Sequence, residues 1–228
     1  MRRISGFTSI VCITLLLFAV FPGVSFMPSK VKYTEISSIE AELEKLAGKK
    51  IIVGVVADEG SLLAIYAAAN EFGAEIKPKN GKYLAIPLQP EFKGKSPSDF
   101  TDGMFDFVPG KDFKTAKLVM NNVPCFLLVQ KVTIPERAFI RTALDKRETQ
   151  EKAITLARAA LERILGGGGR AEDICNAIGQ SIVSSIKINI ASNIQPPNSS
   201  LTQRLKREEK TLIDEGDLLK SINYTVEG

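Results

Sequence analysis

The chain has 228 residues, of which 44% are hydrophobic and 25% charged, a balance that fits one well-buried globular domain and excludes a disordered or fibrous chain. The formal charge is +4, and without Arg2 and Arg3 it is 28 Lys and Arg against 26 Asp and Glu, or +2, which excludes a strong electrostatic draw to nucleic acid. There is no His, which removes the commonest general base, the commonest zinc ligand and the usual partner of a Ser or Cys nucleophile.

Residues 1–26 carry Arg2 and Arg3, an apolar stretch from Ile10 to Phe21, and the small residues Gly23-Val24-Ser25. Alone, this segment reads as a cleaved secretory signal peptide. Its apolar stretch is short of the roughly 20 residues that span a bilayer, which argues against a permanent membrane anchor. The competing reading is a misplaced start codon, with translation beginning at Met27-Pro28-Ser29. Outside this leader stand Cys125, in an apolar strand-like run, and Cys175, in a helical pattern. Both read as inert small core residues, and only export would make a bridge between them relevant.

From Ser37 to Leu46 the apolar positions 39, 43 and 46 alternate with Glu and Lys at helical spacing, with Ser37 or Ser38 as the cap. Residues 50–56 form a β-branched run between Gly48 and Asp58-Glu59-Gly60, expected as a buried strand at the centre of the sheet. Residues 61–72 then read as an Ala-rich helix ending at Gly73, which stands where a left-handed helix cap belongs, with Phe72 expected in the core.

Residues 74–133 hold more than half of the Pro, with Gly and Asp scattered among them, interrupted by short apolar runs at 83–88, 117–120 and 126–132, the pattern of a strand meander. Within it, residues 89–114 make a long excursion, expected as an extended loop or hairpin, either a contact arm or a neutral surface insertion.

Pro135 has no backbone donor, so Ile134-Pro135 is expected to end a strand and open the first turn of a helix, with Glu136 favourable near its N-terminus. On such a helix Phe139 and Ile140 pack on the core or on a neighbouring subunit. Arg137 and Arg141, four apart, share a face, either solvated with salt bridges or clamping a second subunit. Helical patterns follow over 150–165 and 171–190, separated by four glycines at 166–169 that read as a flexible turn. No Lys-Ser or Lys-Thr follows these glycines and no strand precedes them, so they do not fit a phosphate loop. No paired-carboxylate or dinucleotide pattern occurs in a strand-to-helix context either, and an enzyme is not expected, nor any cofactor or metal.

Pro196-Pro197 breaks the helical pattern and leads to a basic linker, in which Arg204 and Lys206 are the candidate partner contacts, diluted by Glu208 and Glu209. The chain ends with Thr211-Leu212-Ile213-Asp214, Gly216, a short helical turn through Leu218 and Leu219, and an alternating closing strand from Ser221 to Val226. Asp214 is positioned to cap the short helix.

Four blocks in this order, Val53-Gly54-Val55-Val56 with Ala67 and Asn70-Glu71-Phe72-Gly73, Ile134 to Arg141, Pro196 to Lys206 and Thr211 to Val226, resemble the tailed-phage neck and tail-completion proteins that join head to tail. The sequence departs from that pattern at Ala138, where the family often has Pro, and at Glu215, where it usually has Thr.

The resemblance spans residues 27–226. It implies a prophage-encoded virion structural protein, assembled in the host cytoplasm, that acts by geometry and forms or joins a ring around the DNA channel. Its partners would be other neck, portal-proximal or tail proteins, with no specific nucleic-acid sequence and no permanent membrane association.

Under this reading 27–228 is one α+β domain, a small mixed or antiparallel sheet with long amphipathic helices packed on one face. Its structural and interface residues are Phe72, Gly73, Pro135, Glu136, Arg137, Phe139, Arg141, Arg204, Lys206, Asp214, Gly216 and Ser221. The alternative is an exported binding module with a cleaved signal peptide.

Overall fold

The computed structural model describes residues 33–111, 114–206 and 210–228. The leader, Met27 to Lys32, and Glu208 and Glu209 of the basic linker lie outside them. The class is α+β, as expected: helices α1 (Tyr33–Gly48), α2 (Leu62–Phe72), α3 (Arg141–Asp145), α4 (Arg147–Leu165), α5 (Ala171–Ala191), α6 (Ser200–Leu205) and α7 (Asp217–Ser221) accompany small antiparallel sheets. The strands are β1 (Lys50–Val55), β2 (Ala74–Ile76), β3 (Leu84–Pro87), β4 (Asp106–Pro109), β5 (Thr115–Met120), β6 (Val123–Val129), β7 (Val132–Ile134) and β8 (Ile222–Glu227). Among the described residues, no helix is long and apolar enough to cross a membrane.

The chain packs as two compact units. The first gathers residues up to 67, 139–192 and 216–228, and its strands are β1 and β8, paired antiparallel from Lys50↔Glu227 to Val55↔Ile222. Alternation puts Ile51, Val53 and Val55 on one buried face of β1. Helix α5 packs on both strands and α4 packs on α5.

The apolar stripe of α5, Ile174, Ile178, Ile182, Ile186 and Ile190, recurs every fourth residue and is buried throughout its length. No side chain of its own caps α5. Instead, Glu42 of α1 reaches across, its carboxylate accepting from the Ala171 amide at 2.9 Å where the helix dipole favours negative charge. The Lys45 ammonium, 2.7 Å from the same carboxylate, and the Ala171 amide hold the Glu42 carboxyl below its ordinary value.

Several expectations are corrected here. Strand β1 is not central to a large sheet; it pairs with β8 in a two-stranded sheet. Ser37 and Ser38 lie inside α1, which starts at Tyr33, and so do not cap it. The four glycines form the expected turn between α4 and α5, in which the amides of Gly166, Gly167 and Gly168 bond to carbonyls of Glu162, Ile164 and Arg163, and a Cβ on Gly169 would lie 2.8 Å from the Ile164 nitrogen. The segment is folded tightly back onto the end of α4.

The second unit comprises residues 68–138 and 193–215. It holds the β2–β7 pair and the largest sheet, in the order β3-β6-β5-β4, all antiparallel. The excursion at 89–114 is only in part a hairpin. Its first part makes two 3-10 turns, Pro90–Phe92 and Pro97–Asp99, the second closed by Ser96 and Asp99 in a reciprocal capping box, and residues 106–109 return as edge strand β4.

Phe92, Phe100 and Phe105 converge on Phe126 of β6 with ring centroids 5.2–6.3 Å apart. This edge-on aromatic cluster, with Cys125 and Leu118, is the core that binds the excursion to the sheet. Burial of the Phe92 ring makes an arm that extends freely from residue 89 incompatible with the fold.

Candidate functional site

The end of the first block of the family-like pattern and the starts of the second and third meet in the second unit. Helix α2 ends in Asn70-Glu71-Phe72-Gly73, and Gly73, at φ +73°, turns the chain directly into β2. Strand β2 pairs with β7, Ala74 opposite Ile134, and a Cβ on Gly73 would stand 3.2 Å from the Glu136 nitrogen and 3.4 Å from the Ile134 oxygen. Glycine is therefore required twice at this point, for its backbone conformation and for the close approach of residues 134–136.

Arg137 is the centre of the arrangement. It does not sit on a helix, because α3 begins only at Arg141; residues 135–138 are irregular and bring the side chain inward, where it is 6% exposed. Its amide donates to the Asn70 carbonyl at 2.6 Å. Its Nη1 donates to Asn70 Oδ1 at 3.0 Å, Nε to the Pro196 carbonyl at 2.7 Å, and Nη2 to the Pro197 carbonyl at 3.2 Å.

The planar fork of guanidinium donors thus fastens helix α2, the 134–137 turn and the 196–197 turn to one another. Pro196 and Pro197 have no amide hydrogen to offer, and their carbonyls are the groups the fork uses. Glu71, wholly buried, lies on the same turn of α2.

The linker beyond is held by a second group of polar contacts. Asn193 Oδ1 accepts from both the amide and the hydroxyl of Thr211, at 3.0 and 2.7 Å, while Asn198 Nδ2 donates to the Thr211 carbonyl at 2.9 Å. Lys206 Nζ donates to that carbonyl and to the Lys210 carbonyl, both at 2.9 Å, so Lys206 is engaged inside its own unit. Arg204, on α6, is exposed. Asp214 does not cap α7, which starts at Asp217 with Gly216 before it at φ +82°; its carboxylate instead pairs with Lys93 at 2.8 Å.

The expectation that Pro135 and Glu136 open a helix fails for the same reason that Arg137 is buried: the chain stays irregular from 135 to 138, with Pro135 half-buried and Glu136 exposed. Arg137 and Arg141 accordingly share no helical face. Phe139, fully buried, and Arg141, half-buried, belong to the first unit. There Asn189 Nδ2 bonds the Phe139 carbonyl at 2.9 Å and Thr142 Oγ1 at 2.8 Å, and Lys146 Nζ donates to Asn189 Oδ1 at 2.7 Å. Ser221 donates to the Leu218 carbonyl, and its own carbonyl takes the Val56 amide at 2.8 Å, extending the β1–β8 pairing by a residue.

Helix α2 carries a further feature. Its buried side is made of Ala64, Ala67, Asn70 and Glu71, whereas Leu62, Ile65, Tyr66 and Phe72 are 86%, 57%, 39% and 51% exposed. The large apolar side chains that amphipathic reasoning assigns to the core face outward, Phe72 among them. Leu62, Ile65 and Tyr66, all in the first unit, form one stripe.

On β2, Glu75 bonds to Lys131 and Lys77 at 2.7 and 2.8 Å, and these two ammonium groups lower its carboxyl from 4.5 to about 2. Both thiols are free: Cys125 donates to the Val123 carbonyl, and burial raises the Cys175 thiol.

Asn70, Asn189, Asn193 and Asn198 were not singled out by sequence reasoning. The available signal was weak: Asn189 interrupts the run of Ile at 186, 188 and 190, and Asn193 and Asn198 bracket the two prolines.

Comparison with family models, with curated proteins and with solved structures gave no match to this chain.

Proposed function

We propose that this protein is a structural assembly subunit that acts through its shape and contacts, without catalysing a reaction. More particularly, we propose that it is a head-to-tail joining protein of a tailed phage, a neck or tail-completion component that forms or joins a ring and contacts neighbouring neck, portal-proximal or tail proteins.

The observation that carries this reading is the outward apolar stripe of α2. A helix that spends Ala64 and Ala67 on its own fold and directs Leu62 and Ile65 to the surface is built to be covered by another protein surface. The same helix ends in Asn70-Glu71-Phe72-Gly73, part of the family-like pattern. In a closed ring such a surface meets a different surface of the next copy, a heterologous contact that rotation closes.

The test is peptide mass spectrometry of density-purified particles from induced source cells, together with light scattering of the purified protein. The reading expects the chain in tailed particles at a few copies per particle, and a ring or a partner-dependent oligomer in solution. Recovery only from the culture supernatant, as a monomer processed near Ser25, would overturn it in favour of an exported binding module.

A further inference from the structure

We infer that the second unit carries a docking cleft for an acidic peptide segment with an apolar side chain. The cleft encloses about 530 Å³ and lies open on one side of the four-stranded sheet. That volume is within the range, roughly 300–1,000 Å³, of sites that hold a small ligand or a few residues of a peptide.

Its floor is apolar and comes from three strands. Ala85 of β3 lies opposite Leu128 of β6, which lies opposite Ala116 of β5, with Leu118 two residues further along the same face. The aromatic cluster covers the adjoining part of this face, so the cleft is the section that the Pro90–Phe105 segment leaves uncovered. Tyr83, its ring 6.4 Å from Phe107 of the edge strand, and Ser96-Pro97 complete the lining.

The rim is cationic. Lys79 and Lys95 line the cleft, and Lys82 lies over the Tyr83 ring with its Nζ 5.4 Å from the centroid. Among the described residues none of the three is ion-paired, in contrast to Lys77, Lys93 and Lys131 on the same unit, which pair with Glu75 or Asp214. Asp99, four residues beyond Lys95, is committed to the Ser96 amide at 2.7 Å.

The two lining ammonium groups of Lys79 and Lys95, the latter 5.8 Å from the Phe100 ring centroid, with Lys82 beside them on Tyr83, select a ligand with carboxylates at its edges and an aliphatic or aromatic residue between them. The openness of the cleft suits an extended peptide segment rather than a small molecule that must be enclosed. This inference rests on the geometry of the second unit alone and does not depend on the head-to-tail reading.

The experiment titrates the full chain into a fluorescein-labelled nine-residue peptide alternating Glu and Phe, with a Lys and Phe peptide of the same length as control. Anisotropy reads affinity, and amide shift changes map the contact. Saturable binding of the Glu peptide alone is expected, weakening with added salt, with shifts at Tyr83, Ala85, Leu118 and Leu128.

The charge-reversed variant Lys79→Glu, Lys82→Glu, Lys95→Glu should weaken it by at least about tenfold. A second reversal, Lys111→Glu with Lys117→Glu, places new charge outside the cleft and should leave affinity within about twofold. Circular dichroism melts of both variants check that each is folded, and because all five lysines are exposed both should melt as the parent does. Absence of saturable binding, equal binding of the Lys peptide, equal loss in both variants, or shifts confined to other residues would each overturn the proposal. Binding of inorganic phosphate with the same affinity would overturn it in favour of a simple anion site.

Discussion

The Tyr224 ring of β8 lies directly on the backbone of Gly179 in the middle of α5, where a Cβ would come within 2.6 Å of ring Cγ and 2.7 Å of Cε2. The hydroxyl of the same tyrosine donates to Asn176 Oδ1 at 3.2 Å, one turn earlier on that helix. Glycine inside a helix costs about 1 kcal/mol relative to alanine, so its presence here reflects the ring it admits. Gly179→Ala should therefore destabilise the protein, since overpacking at about 1–3 kcal/mol exceeds the propensity gain. In a Tyr224→Ala background the same substitution should instead stabilise by about 0.5–1 kcal/mol, because only propensity remains. Urea unfolding of the four-member cycle reads the change of sign, and destabilisation of equal size in both backgrounds would refute the contact.

That pair also marks how much of the structure is legible in the sequence. The stripe at 174, 178, 182, 186 and 190 and the closing strand after Ser221 follow from periodicity alone, and both stand where expected. Gly179 reads only as a weak position in a helix, because the residue that requires it is 45 positions away. Arg137 was misread for a related reason. Spacing relates residues on one regular element, and 135–138 is irregular, so its separation of four from Arg141 carried no geometric meaning. On helix α2 the expected core residue Phe72 is 51% exposed, and close packing goes to Ala64 and Ala67.

Arg137 should be the most sensitive single polar position of the second unit. Its removal leaves the Pro196 and Pro197 carbonyls and Asn70 Oδ1 without the donors they now have, all in or near buried surroundings. Arg137→Met should cost roughly 2–4 kcal/mol by urea unfolding, and Arg137→Lys should recover only part of that because one ammonium cannot span three acceptors. The turn at 193–198 should become the earliest site of proteolytic cleavage in the Met variant. Unchanged proteolysis with unchanged stability would show that the fork does not hold that turn.

Glu75 should make the β2–β7 pair acid-sensitive. Its folded value near 2 lies below the ordinary 4.5 because Lys131 and Lys77 hydrogen-bond the carboxylate. The stabilisation is then present above pH 4.5 and is lost as pH falls towards about 2. The pair is exposed, so salt should reduce the effect. Titration of the Glu75 side-chain carboxyl by NMR checks the midpoint directly. A midpoint at the ordinary value would remove both ion pairs from the account of this edge.

The α2 stripe makes a prediction that separates assembly from folding. Leu62→Glu with Ile65→Lys replaces side chains that are 86% and 57% exposed, so the melting transition should move little, within about 0.5 kcal/mol of the parent. Self-association or incorporation into particles should be lost. Light scattering and particle proteomics measure the second effect, and calorimetry the first. A variant that assembles normally would show that the stripe is not the contact surface.

Truncation before Thr211 should abolish the first unit's fold. Strand β8 is the only partner of β1 among the described residues, and its loss exposes the β1 ladder from Lys50 to Val55 together with the face that α5 covers. Leu218 and Ile222, both buried, go with it, each contributing about 1.5–3 kcal/mol of apolar burial. Those two residues alone represent a large share of the about 5–15 kcal/mol by which domains of this size are stable. The shortened chain should therefore show fast hydrogen exchange at the β1 amides 51–55 and no cooperative melt for the α5 helix. Slow exchange at Val53 and Val55 with an intact cooperative transition would mean that β1 and α5 hold together without the closing strand.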